Sequence, residues 1–432
     1  MDKNKIIIFT AIGLIVVIAV AVIIINPFKT TAPAPLTLEF WSVFDDSSVY
    51  QPLIAKYQQL YPNVTINYYK KDITSYEKDL LDALAAGRGP DIFSIQNTWL
   101  PKHKDKLAPA PASLITPERF SEVFVDVASQ DFIDGNSVYA FPLSVDSLAL
   151  FYNKDLFNSA GLTGAPKTWV DFNSAVEKLT KRDAKNNILQ AGAALGTAKN
   201  INRSTDILMA LMLQGGAKMV SDDKIRAAFQ ESVSSSGGET FNPGKQALIF
   251  YTNFANPALK VYTWNALQHY SIDAFVEGQA ATMLSYSYQV PMIRARSPHL
   301  NFGVAVLPQI SSNSKKVTFA NYWGQAVSQR SANQAAAWQF IAWLSSQANS
   351  REYLSATKKP TARRDLITEQ AADAELSVFS QQALYASSWW EADNLAIEGI
   401  FADMIESVVA GRSAMDDALQ RASAQVTVLM GG

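Results

Sequence analysis

Residues 138–157 read VYAFPLSVDSLALFYNKDLF, and the way this run divides decides the fold. It is almost wholly apolar and alternates imperfectly. An average strand holds only about five or six residues, so one strand is too little for it. Pro142 has no N–H to offer a central ladder, which predicts a break near that position. Asn153, Lys154 and Asp155 supply a polar cap for a short helix that Gly161 closes. One acid, Asp146, stands in the middle. A carboxylate inside an apolar run is either buried with hydrogen-bonding partners or lines a polar cleft.

Upstream of the run, Leu36, Leu38 and Phe40 alternate with polar residues and predict a strand ending at Trp41. Val49, Leu53, Ile54, Tyr57 and Leu60 keep helical spacing until Pro62 stops it. Residues 64–69 form the next expected strand. Thr74 with Glu77 reads as a capping box before a second helix carrying Tyr76, Leu80, Leu81 and Leu84 to Gly87. Gly89 and Pro90 lead into a third strand over residues 91–95. Three strands separated by two helices imply a parallel, right-handed βαβαβ sheet.

Ligands of such open sheets lie beyond the carboxyl ends of the strands. Here those ends carry Trp41, Ser42, Phe44, Asp45 and Asp46; then Tyr68, Tyr69 and Lys70; then Gln96, Asn97, Thr98 and Trp99. Aromatics, amides and carboxylates at one edge suit a ligand with many hydroxyls and flat apolar faces, such as a sugar. For any single residue a plainer role competes: a Trp packs a core, and Asp45-Asp46 caps the following helix.

Downstream the pattern stays α/β and then turns helical. Thr168 caps a helix with Trp169, Phe172, Val176 and Leu179; residues 188–195 read as a strand and 204–213 as an amphipathic helix ending at Gly215-Gly216. Residues 218–229 suggest a hairpin turning at Asp222-Asp223, and Asn242-Pro243 opens a further helix. Trp338 and Trp343 lie in a regular helix and are expected in the core, as is Trp169.

At 432 residues the chain exceeds one ordinary core. A soft prior of about 150 residues per domain suggests two to three, and two large lobes fit. Lysine and arginine number 37 against 39 acids, for a net charge of −2 without long blocks, so no nucleic-acid groove or polybasic patch is indicated. The absence of cysteine excludes disulfides, thiolate metal sites and a lipid-modified cysteine anchor.

The amino terminus differs in kind. Lys3 and Lys5 precede residues 6–25, an uncharged run long enough to cross a bilayer as a helix. A cleaved signal peptide usually has an apolar core of about 7–15 residues, so residues 1–29 read as an uncleaved anchor, with a cleaved signal as the alternative. The charge placement leaves the bulk of the chain outside the cytoplasm. Residues 30–35, TTAPAP, make an extended linker.

A family resemblance rests on motifs in series. LTLEFWSVFDDSS, LIAKYQQLYPNVTINYYK, AAGRGPDIFSI, VYAFPLSVDSLALFYNKDLFNSAGL, PKTWVDFNSAVEKLT, FVEGQAATMLSY, NFGVAVLPQI and YWGQAVS occur in order. Together they resemble the extracellular solute-binding proteins that deliver sugars to ABC importers, with the maltodextrin-binding type as prototype. The resemblance implies a two-lobe periplasmic-binding-protein-like fold of type II, with discontinuous lobes joined by a hinge. The amino-terminal lobe would comprise residues 36–144 and 286–328, and the other lobe residues 145–285 and 329–432. Residues 281–288 would cross back to the first lobe, 301–308 and 319–328 would extend its sheet, and the helix over 332–346 would begin the return.

The same resemblance implies a site. Trp99, Trp323 and one of Trp389 or Trp390 would stack on sugar rings; Asp146 would contact the ligand at the first crossing; Asp45 and Asp46 lie in the first site loop. Tyr286 or Tyr288 stands where the prototype has a stacking Trp, a departure that weakens any expectation of maltodextrin. Asn97, Tyr322, Trp264 and Arg363 complete the candidate set. The expected partners are a carbohydrate ligand and the membrane subunits of an importer, with the chain a monomer.

Enzymatic signatures are sparse. His103, His269 and His299 are far apart without paired ligand spacing, and no GxSxG, GxxxxGK[ST] or strand-linked GxGxxG is present. No metal or cofactor is expected. The enzymatic rival is a glycosidase, which needs only two carboxylates flanking a sugar bond: Asp45 or Asp46 facing Asp146. A structural or adhesive surface protein would explain the anchor but not two α/β lobes.

Overall fold

The computed structural model describes residues 34–234 and 237–431. The expected membrane anchor and most of the linker lie outside the described residues. No helix among the described residues is long and apolar enough to cross a membrane.

The first sheet begins as its periodicity dictates. β1 (Leu36–Ser42) buries Leu38, Phe40 and Ser42 on one face; α1 (Ser47–Leu60) turns Tyr50, Leu53, Ile54 and Tyr57 inward; β2 (Val64–Lys70), α2 (Tyr76–Ala85) and β3 (Ile92–Gln96) follow. β1 lies between β2 and β3, both parallel, with Phe40 opposite Tyr68 and Ile92. The capping box expected at Thr74 does not form. Ser75 is the N-cap residue, its hydroxyl donates to Asp79, and Glu77 turns instead to His103 and Lys102.

The run at 138–157 divides near Pro142, and then once more. β4 (Leu107–Ala108) and β5 (Phe141–Pro142) pair with a later strand of the first sheet, Pro142 standing opposite Gly324. β6 (Asp146–Ser147) is a two-residue link, and β7 (Ala149–Asn153) is the middle strand of a second sheet. Asn153 caps the helix Lys154–Ser159 by accepting from the N–H groups of Asp155 and Leu156, and Gly161 closes it at φ +71°. Only glycine takes that left-handed turn without a Cβ penalty.

Two expectations about the return path are corrected. A middle strand buried on both edges must satisfy its N–H and C=O groups on each side. β8 (Thr282–Ser285) and β9 (Phe302–Ala305) do this for β7, both antiparallel. Residues 281–288 therefore do not cross, and 301–308 do not extend the first sheet. The crossing comes later, at β10 (Thr318–Asn321), after which β11 (Trp323–Ser328) joins the first sheet antiparallel to β3. The helix Gln334–Leu344 buries Trp338, Phe340, Ile341 and Leu344 in the first core, so it does not begin the return. The chain passes back at β12 (Ala386–Ser387), and the lobe boundaries drawn at 286 and 329 move accordingly.

β10 pairs with β6 on one edge and β12 on the other: Asp146 lies opposite Asn321, Ser147 opposite Ala320, and Phe319 opposite Ser387 in parallel. Three chain crossings thus form one narrow sheet. The core assignment switches within it. Val145 and Ala320 belong to the first apolar core with Leu38, Phe40 and Trp338, while Leu148 and Phe319 belong to the second with Phe151, Phe302 and Phe401. Short strands that carry no bulk of their own can bend by dihedral change while each lobe stays packed. The helix Ser204–Gln214 is buried almost all round rather than amphipathic, since it lies inside the second lobe.

Candidate functional site

A cavity of about 700 Å³ lies between the lobes, beside the crossing strands. The carboxyl ends of β1 and β3 reach it, as open-sheet topology requires. A buried polar row runs beneath it across three strands. Ser42 and Ser94 share a hydroxyl–hydroxyl bond of 2.8 Å, and the Ser94 hydroxyl lies 2.9 Å from Gln325 Oε1.

Aromatic rings build the first-lobe wall. Trp323, the first residue of β11, meets Trp99 edge-on at 5.1 Å and Phe44 at 5.7 Å; Trp99 stacks on Tyr76 at 6.0 Å. Trp99 is only 4% exposed, and its indole N–H donates to Asn394 Oδ1 at 3.2 Å. Phe44 is 51% exposed and sits at φ +68°. A bulky residue in that region is strained, and such strain collects at functional sites.

Three carboxylates of the cavity are held by partners. Asp45 accepts from the Tyr353 hydroxyl at 2.7 Å and from Lys359 at 2.6 Å. Bonds from His103 and Lys102 hold the Glu77 carboxyl down at about 2 against its partial burial. Asp146 accepts from the Ser287 hydroxyl at 2.6 Å, from the Ser287 N–H, and from its own neighbour Ser147 N–H at 2.8 Å. Burial nevertheless pushes it up to about 6. Both readings offered for this acid hold together: it is buried with hydrogen-bonding partners and it lines the cleft.

From the second lobe come Arg203, Ser287, Tyr288, Met292, Asn394, Leu395 and Glu398. Tyr288 stacks on Tyr286 at 6.2 Å. Arg203, at φ +57°, stays firmly protonated because Asp206 and the two tyrosines outweigh its burial.

Of the candidates drawn from sequence, Asp45, Trp99, Asp146, Tyr288, Tyr322 and Trp323 line this cavity. The others do not. Asp46 is exposed and pairs with Lys70. Tyr286 is fully buried and donates to Asp206 at 2.7 Å. Trp264 is fully buried, with its indole on Asn200. Arg363 pairs with Asp365 and bonds the Ser345 carbonyl, away from the cleft. Trp389 packs in the second core with its indole on Met209 sulfur. Asn97 and Trp390 line a separate cavity. Arg203, Lys359, Asn394 and Leu395 were not among the candidates; Phe44 and Gln96 were named with the strand-end cluster but not in the candidate set.

A two-lobe α/β protein with three crossings and an interlobe cavity has a clear counterpart among protein families. Residues 41–350 match the model of the bacterial extracellular solute-binding protein family. The chain belongs to that family. This solute-binding protein is 24% identical over 303 residues to a maltotriose-binding protein of Pyrococcus abyssi (strain GE5 / Orsay), covering 69% of this chain and 60% of that relative. It is 22% identical over 343 residues to a galactooligosaccharide-binding protein of Bacillus subtilis (strain 168), covering 77% of this chain and 74% of the relative. Among solved structures, the sugar-binding protein MalE of Xanthomonas citri superposes with a TM-score of 0.75 at 22% identity, covering 92% of this chain and 98% of that one. A cyclic alpha-maltosyl-1,6-maltose binding protein of Arthrobacter globiformis gives 0.74 at 20%, covering 92% and 100%. At these identities the structures establish the two-lobe fold of this solute-binding protein.

Proposed function

We propose that this solute-binding protein captures a carbohydrate between its lobes and passes it to an ABC importer. The observation that carries the reading is the cavity itself, which Trp323 and Phe44 line from one lobe and Tyr288 from the other, together with Asp146, Asn321 and Gln96. Sugar rings offer an apolar face to such aromatics and hydroxyls to such carboxylates and amides. The relatives named for maltotriose and galactooligosaccharide support the class. A ligand touching both lobes favours the closed state only as far as it binds that state better.

The protein binds and does not cleave. Both oxygens of Asp45 are taken by Tyr353 and Lys359, and Asp146 is held by Ser287, which suits acceptors fixed for hydroxyls. Residues 6–25 act as a membrane tether that leaves the lobes on the outer face, a reading that the uncharged run after Lys3 and Lys5 supports; the chain is taken to work as a monomer. Titration calorimetry with maltotriose, mannobiose and galactooligosaccharide tests the reading. Heat of binding without release of reducing sugar is expected, and release of reducing sugar establishes the hydrolase instead.

A further inference from the structure

A second cavity of about 510 Å³ also lies between the lobes. No residue lines both cavities. A three-residue bridge closes across the cleft at the first cavity: Asn394 donates to Gln96 Oε1 at 2.9 Å and accepts from the Trp99 indole at 3.2 Å. Beside it Lys102 joins Asp393 of the second lobe to Glu77 of the first, at 2.7 and 2.8 Å.

The chemistry of the second cavity is specific. Trp390 is half-buried in its wall, and the anchoring of its neighbour Trp389 in the second core fixes the backbone that carries it. Thr98 also lines it. That side chain is 7% exposed, and its hydroxyl has no hydrogen-bond partner among the described residues. A buried hydroxyl left unpaired costs about 1–3 kcal/mol; it is enclosed as it stands, and rotation about χ1 is the step that would bring it to a ligand in the cavity. Three lysines and three acids line it, and two of each close on one another, leaving exposed Lys224 and buried Asp131. Lys104 pairs with Asp134, and Lys218 with Asp222 at 3.0 Å, while Asp131 accepts from Asn97, Tyr322 and Ser388. Nothing there selects an ion. An aromatic face and an unmet hydroxyl, in a wall whose charges are mostly paired, suit an uncharged ring-bearing polyol, and the volume falls in the range of about 300–1,000 Å³ that small ligands occupy.

We propose that this cavity is a second saccharide site, with Trp390 as its stacking platform and Thr98 as its hydrogen-bonding group, filled independently of the first. The ligand class rests on the carbohydrate reading of the main cavity; the existence of a second site does not.

The test is fluorine NMR of the full chain labelled with 5-fluorotryptophan, titrated separately with maltotriose, mannobiose and galactooligosaccharide. Replacement of single tryptophans by Phe assigns the Trp99, Trp323 and Trp390 resonances. The expected result is a Trp390 shift with its own midpoint, different from that of Trp323, which persists in a folded Trp323→Ala variant. Thr98→Val is expected to move that midpoint about tenfold upward and leave the Trp323 midpoint in place. The proposal is overturned if Trp390 responds only with the Trp323 midpoint and falls silent in Trp323→Ala, because the cavity then merely follows lobe closure. It is also overturned if Trp99 and Trp323 respond while Trp390 does not, a result that leaves the main site standing. Silence of all three overturns both.

Discussion

Asp146 and Ser287 are joined twice: one carboxylate oxygen accepts the Ser287 hydroxyl at 2.6 Å and its N–H at 3.0 Å. The pair ties the first crossing strand to the loop that follows β8, so the acid that lines the cavity also sets the floor of the hinge. Asp146→Ala leaves the Ser287 and Ser147 N–H groups without that acceptor. We expect a loss of about 2 kcal/mol in urea unfolding together with weaker ligand binding, whereas Ser287→Ala, which keeps the N–H bond, costs about 1 kcal/mol. Equal and small losses in both variants would show that the pair does not organise the floor.

Stability depends on pH through Asp131. Its carboxyl lies buried among Asn97, Tyr322 and Ser388, and burial raises it to about 7. A raised native value means that the folded protein keeps the proton longer than the unfolded chain does. The stability this provides is complete below about pH 4, where both states are protonated, and is lost as pH rises through about 7. Asp131→Asn removes the dependence. The stability of the variant minus that of the native protein is therefore expected to climb from pH 4 to pH 7 and then level off in denaturant titrations; a flat difference contradicts this. Glu77 has the opposite sign: its contribution is present above about 4.5 and fades as pH falls through about 2.

Phe44 separates stability from binding. A left-handed backbone costs a residue with a side chain about 1–2 kcal/mol relative to glycine. Phe44→Gly is expected to melt no lower than the native protein while binding sugar at least about tenfold more weakly, since the ring that meets Trp323 is gone. Phe44→Ala keeps the strain and loses the ring, so it is expected to be the less stable of the two. Native-like affinity in both variants would remove Phe44 from the site.

The interlobe bridge sets how far the unliganded protein opens. Lys102 and Asp393 are each more than a quarter exposed, so breaking that ion pair is worth under about 1 kcal/mol. Asn394→Ala removes the bonds to both Gln96 and Trp99 and is expected to enlarge the unliganded radius of gyration in solution scattering more than Lys102→Ala does. The reverse order would place the latch at the ion pair.

The first three strands and two helices were legible because each carries its own periodicity within a dozen residues. The path of the return strands was not. β7 offers two equivalent edges, and nothing local in residues 282–305 says that both β8 and β9 belong to them. The site divides in the same way. Trp99 could be placed from a strand end, and Trp323 and Asp146 from the family resemblance, but Trp264 and Tyr286 entered the candidate set in the same way and differ in being packed over by their own lobe. Arg203, Lys359 and Leu395 reach the cavity from elements far apart in the chain. The Asp45 to Lys359 pair spans more than three hundred positions, a distance at which no spacing rule operates.

The central claim is capture of a carbohydrate between the lobes, and thermal unfolding with a panel of oligosaccharides tests it most directly. A ligand at 100 times its Kd stabilises the folded state by about 2.7 kcal/mol. At least one of maltotriose, mannobiose or galactooligosaccharide is expected to raise the Tm of the native protein, and by less in Trp323→Ala. A folded native protein whose Tm is unmoved by every sugar in the panel would contradict the account.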